Sequence, residues 1–215
     1  MQATTYVGTL SDRVFPRTGI WRDVLLITGF ALFTAVAAQI SIPMWPVPLT
    51  GQTLAVLVTG GVLGSTRGLL SILLYMSLGL LGLPVYAGAV SAVLAGKQEM
   101  WATSGALWSA KPFWLLPSFG YIIGFVVAAW VIGKLAERGW DRNVWRTLGA
   151  MLVGEAIVYA FGIPWLWMVL KPDLGTTLMY GLWPFIPGDA IKMLIAAGVL
   201  PSAWLLLKRR GTGAS

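Results

Sequence analysis

The sequence predicts an all-α membrane protein: one bundle of six transmembrane helices with both termini in the cytoplasm. Three observations predict it. Of 215 residues, 57% are hydrophobic and 11% are charged, against roughly 25% charged in a typical soluble domain, and mean hydropathy is +0.78. Apolar runs alternate with short polar or Pro-rich connections. Finally, eleven of the fifteen Lys and Arg residues fall on the same side of that alternation, which the positive-inside rule assigns to the cytoplasm. The termini then share a side, so the number of spans must be even.

Met1–Arg22 is a polar leader with Arg13, Arg17 and Arg22. Val24 opens a full-length apolar run, so no cleavable signal is expected. The first span is Val24–Ile42. Pro43, Pro46 and Pro48 around Trp45 predict an aromatic interfacial loop, because proline interrupts regular helix. A short second span, Leu49–Leu63, turns at Gly64–Gly68 into a third, Leu69–Leu83, which Pro84 stops. Short, Gly/Pro-interrupted spans point to binding sites in transporters. Val85–Leu94 is too short to cross and reads as re-entrant or as an extension of the third helix, with Gly96–Pro112 a Trp-containing polar loop. The fourth span is Phe119–Leu135, followed by the basic connector Ala136–Arg146. The fifth, Leu148–Ile163, ends before Pro164 and Trp165. Lys171–Gly181 reads as loop, and Ala190–Leu207 is the sixth span. Residues 1–23 are thus a leader, 24–207 the transmembrane domain and 208–215 a basic tail.

Composition excludes much chemistry. The chain has no Cys and no His, which removes disulfides, thiol nucleophiles, thiolate metal sites and the commonest proton shuttle. The net charge of +7 is explained by topology rather than by nucleic acid. No Gly-x4-Gly-Lys-Ser/Thr pattern is present, so ATP binding of that kind is not expected.

The candidate site centres on residues 183–192. Pro187 suits the first turn of a helix, Asp189 lies near the positive end of that helix dipole, and Lys192 shares its face. Ionisable side chains inside a span are costly and mark function by default, although the pair could simply neutralise itself. Glu155, with Tyr159 one turn on, either lines a cavity or bonds privately to a neighbouring helix. Gln39 and Gln52 flank the first Pro-rich loop; both suit interhelical glue, and Gln52 is the better ligand candidate. Trp45, Tyr86, Tyr121, Trp165 and Trp183 could stack on a flat apolar ligand, against the alternative of an interfacial belt. Gly60, Gly64 and Gly68, like Gly120 and Gly124, have the spacing of close helix packing. Ala31, Ala35 and Ala38 give the first span a small face, which packs internally or, if exposed, docks another membrane subunit. The Pro/Trp-rich segments fall at the outer end, which suggests a pocket opening outward.

Ile42–Gln52 (IPMWPVPLTGQ), Gly60–Gly64, Gly82–Pro84, Gly120–Phe125, Gly162–Leu166 and Pro184–Lys192 (PFIPGDAIK) together resemble the BioY family, the biotin-binding S components of energy-coupling factor (ECF) transporters. The likeness runs over about Val24–Leu207, and its first and last motifs are specific. It implies a six-helix S-component fold in a prokaryotic plasma membrane, a non-enzymatic substrate-binding role and no cofactor. It further implies a transmembrane coupling subunit and two cytoplasmic ATPases as partners. Asp189 and Lys192 match the family's ligand residues, and Ala31 and Ala35 look like the Ala-x3-Ala that S components present to the coupling subunit. Ser91–Ser118 departs from the family pattern, and Lys97, Ser104 and Ser118 are candidate polar ligands from that loop. Two other readings stay open: an S component for another small vitamin, and a membrane-embedded enzyme using Glu155 or Asp189 as acid/base.

Overall fold

The computed structural model describes residues 8–16, 19–89 and 116–212. Among them are eight α-helices and one two-residue strand pair. Four helices are long and apolar enough to cross a membrane: α2 (Ile20–Gln39), α5 (Phe119–Glu137), α6 (Val144–Leu170) and α8 (Ile186–Thr212). Two shorter apolar helices, α3 (Gln52–Leu63) and α4 (Ser65–Leu80), complete the bundle. The outward surface carries Leu25, Leu32, Val36, Leu152, Ile191, Leu194 and Leu206, as contact with lipid requires.

Part of the polar leader is helical. Thr9 and Asp12 form a capping box that starts α1 (Leu10–Val14). Asp12 Oδ1 then accepts from Arg22 and from Arg67, both at 2.7 Å, and Arg67 also meets Asp23 at 2.9 Å. These bonds tie α1 to the first residues of α2 and α4.

The alanines of α2 face inward. Ala31 and Ala35 are 0% and 9% exposed, and Ala38 is also buried. Small side chains there suit the close packing of α2 on α4, which is the internal-packing reading of this face. After α2 the chain forms β1 (Ser41–Ile42) and β2 (Leu49–Thr50), paired antiparallel as Ser41 with Thr50 and Ile42 with Leu49. The expected loop therefore survives only between them, as Pro43–Pro48 with a cis Trp45–Pro46 bond.

The expected five-residue turn after α3 shrinks to Gly64, whose φ of +82° only glycine adopts freely. α4 resumes at once because Glu137 caps it, accepting from Ser65 N at 2.8 Å and Ser65 Oγ at 2.7 Å. α4 ends at Leu80, and residues 85–89 do not extend it as a helix; residues 87–89 form one 3-10 turn, and 90–94 lie outside the described residues. Lys97 and Ser104 lie outside the described residues.

α5 is the central helix, packed on α3, α4 and α6. α6 corrects the fifth span, running through Pro164 instead of stopping before it. Proline there removes one N–H from the ladder, but Trp165 anchors the turn by donating to the Leu116 carbonyl at 3.0 Å and packing edge-on to Phe119. The segment expected as loop after Lys171 contains α7 (Leu174–Gly181), started by Asp173, which accepts from Thr176 N at 2.9 Å. α8 begins four residues before the expected sixth span, with Pro187 in its first turn.

Candidate ligand-binding site

The Pro-rich hairpin, the start of α3, the middle of α6 and the start of α8 enclose a cavity of about 440 Å³, within the roughly 300–1,000 Å³ of small-molecule sites. It lies at the end of the bundle opposite the Asp12 cluster. α3 measures that separation: Gln52 at its start lines the cavity, while Gly64, just past its end, abuts Thr9.

Eight of the side chains named from sequence as ligand candidates line this one cavity: Trp45, Gln52, Tyr86, Tyr121, Glu155, Tyr159, Asp189 and Lys192. Lys192 and Asp189 occupy neighbouring turns of α8, and their ammonium and carboxylate are 2.9 Å apart. Their burial is compensated from two other helices. Thr53 Oγ1 on α3 accepts from Lys192 Nζ at 2.8 Å, and the Tyr159 hydroxyl on α6 donates to the second Asp189 oxygen. Buried ion pairs persist only with such added hydrogen bonds, so the pair is locked and also presented to the cavity. A carboxylate has about four acceptor positions and an ammonium three donors, so both keep capacity for a ligand.

Gln52 is 6% exposed and held from both sides. Its amide donates to the Tyr75 hydroxyl, and Thr50 Oγ1 donates to its carbonyl at 2.9 Å. Tyr121 donates to the Gly181 carbonyl at 2.7 Å, which fixes its ring as a wall beside Phe185. Tyr86 folds back over Gly79, where a Cβ would strike its ring, and donates to the Met76 carbonyl at 2.7 Å. Burial pushes the Tyr86 hydroxyl above its ordinary pKa, so it remains a donor. Trp45 is half exposed at the mouth, edge-on to Tyr180.

Glu155 differs from the rest. It is 5% exposed, and neither of its carboxylate oxygens has a hydrogen-bond partner among the described residues. Ser118 reaches the cavity wall; Trp165 and Trp183 do not. Gln39 acts as glue, donating to the Ala35 and Tyr86 carbonyls at 3.1 Å. Thr53 was not singled out from sequence. Its only signal is adjacency to Gln52, which is weak because small hydroxyl residues are common in helix interfaces. No cluster of three or more His, Cys, Asp or Glu suited to a metal occurs among the described residues.

Comparison with known proteins converges on one group. Residues 7–99 and 107–209 match the model of the BioY family. A biotin transporter BioY of Rhizobium etli is 34% identical over 187 residues, covering 82% of this chain and 89% of the relative. That of Rhodobacter capsulatus is 37% identical over 188 residues, covering 81% and 88%. Among solved structures, the S-component for biotin from an ECF-type ABC transporter matches with a TM-score of 0.68 and 24% identity, over 86% of this chain and 94% of that chain; the two share a fold.

Proposed function

The chain belongs to the BioY family, and from that membership we propose that it is the biotin-binding membrane subunit, or S component, of an ECF-type vitamin uptake transporter. It captures biotin at the outer face of a prokaryotic plasma membrane. A transmembrane coupling subunit and two ATPase subunits, separate chains, supply the energy, and this chain performs no catalysis. Residues 24–207 form the substrate-binding domain, with α2 to α6 and α8 as six spans and both termini cytoplasmic.

One observation carries the reading: a mostly apolar cavity whose polar groups gather on one wall, around Asp189, Lys192 and Gln52. Biotin has complementary chemistry, with a cyclic urea bearing two N–H donors and one carbonyl, an apolar thioether ring and a carboxylate tail. Among the described residues, the polar wall holds two carboxyl groups and one ammonium, those of Glu155, Asp189 and Lys192. A ligand carboxylate placed there would meet like charge, which costs free energy. The urea therefore faces Asp189 and Lys192, the thioether ring lies against Tyr121 and Phe185, and the tail runs toward Trp45 at the mouth.

Titration of the purified chain with labelled biotin tests the proposal. Saturable, stoichiometric binding is expected; its absence, with another small vitamin retained through purification and identified by mass spectrometry, would reassign the substrate.

A further inference from the structure

Two carboxyl groups line the cavity, and they are not equivalent. Each oxygen of Asp189 already accepts one hydrogen bond, from Lys192 and from Tyr159, and keeps acceptor capacity for a ligand. Glu155 is as deeply buried, yet both its oxygens lack partners among the described residues, and Lys192 donates to Asp189 and Thr53 instead. A carboxyl group at 95% burial without hydrogen bonds is a liability to the empty protein. Its replacement by an apolar residue would stabilise the fold. Its retention in the cavity wall is accounted for if the ligand supplies the missing donor.

We infer that Glu155 is a specificity-determining acceptor that reads one N–H of the ligand's cyclic urea, while Asp189 reads the other and Lys192 donates to the carbonyl between them. The wall then presents acceptor, donor, acceptor, the complement of the donor, acceptor, donor edge of a urea. Asp189 and Lys192 are fixed three residues apart on α8, and Glu155 comes from α6, so the ligand bridges two helices. A ligand lacking one of the two N–H groups leaves Glu155 orphaned, and sites built to bond a polar group reject analogues that lack it. This inference rests on the biotin reading and adds to it the group that recognises the head of the molecule.

The test uses the full chain in detergent with Glu155→Leu and Glu155→Gln, measuring biotin affinity and the melting temperature without ligand. Glu155→Leu should raise Kd at least tenfold while leaving the ligand-free melting temperature unchanged or higher. Glu155→Gln keeps an acceptor oxygen and should stay within about threefold of the parent. The Leu penalty should be the same for biotin methyl ester, which retains the urea and loses the tail charge. If Glu155→Leu binds biotin as the parent does, or melts lower in proportion to its lost affinity, or if the penalty vanishes with the ester, the assignment is overturned. Absence of biotin binding in the parent chain would instead refute the biotin reading itself.

Discussion

At the scale of single residues, Lys192 decides how the site is built. Two of its three donors are committed, to Thr53 on a neighbouring helix and to Asp189 on its own, so its ammonium is held in place before any ligand arrives. Such preorganisation lowers the ordering cost of binding. Removing one member of a buried pair strands the other, at roughly 3–5 kcal/mol, so both single variants should suffer. Asp189→Asn and Lys192→Ala are each expected to weaken biotin binding at least tenfold, about 1.4 kcal/mol, in equilibrium titration; unchanged affinity in both would remove the pair from the site. These two residues were legible in sequence as candidates, because a charge inside an apolar run stands out. Their supports were not. Thr53 is one of several small hydroxyl residues in the spans, and only the crossing of α3 over α8 distinguishes it.

Elements are joined here by glycine where backbones touch and by charge where they end. A Cβ on Gly133 of α5 would collide with the backbone of Gly64 and Ser65 at the start of α4, and backbone cannot rotate away as a side chain can. Overpacking costs roughly 1–3 kcal/mol, so Gly133→Ala should lower the melting temperature by several degrees, at roughly 2–4 °C per kcal/mol. Gly29→Ala, which meets open space, should leave it unchanged or higher; equal losses in the two would refute the packing argument. At the other kind of junction, partial burial opposes the Asp12 charge, but its bonds to Arg22, Arg67 and Thr9 outweigh this and hold its carboxyl well below the usual carboxylate range. A depressed folded value means stability that is complete above the unfolded value of roughly 4 and fades as pH falls below it. Amide exchange over residues 8–16, corrected for intrinsic rate, should therefore show equal protection at pH 8 and pH 5 and a marked loss in Asp12→Asn at pH 7. Loss of protection in the parent between pH 6 and pH 5 would contradict the ion-pair account. Sequence missed both the α6 continuation and α7 for a related reason. Pro164 read as a stop because its compensation comes from Trp165 and residues far away in the chain, whereas the Asp173 cap was local but lay in a stretch too short for a clear period.

For the molecule as a whole, the class of fold followed from composition, but its vertical layout needs the structure. The two short helices do not reach the ~20 residues of a full span. Their deficit is filled by the Pro-rich hairpin at one end and the α1 latch at the other, features without hydrophobic periodicity that sequence reads only as loops. Basic residues gather at the latch end, with Arg22 and Arg67 on Asp12 and Arg142 over Trp204 at 4.1 Å, while the cavity occupies the opposite end. In the proposed orientation, which the positive-inside rule supports, the latch faces the cytoplasm and the cavity opens outward. α6 supplies the ruler: its 27 residues span about 40 Å at 1.5 Å each, more than the ~30 Å hydrocarbon core, so a crossing α6 puts Arg138 and Leu174 on opposite faces. The chain has no cysteine, so one introduced thiol reports without background. A membrane-impermeant maleimide should label Leu174→Cys in intact cells and Arg138→Cys only in inverted vesicles. The reverse pattern would turn the cavity toward the cytoplasm and end the capture of an external vitamin; labelling of both from one side would mean that α6 does not cross.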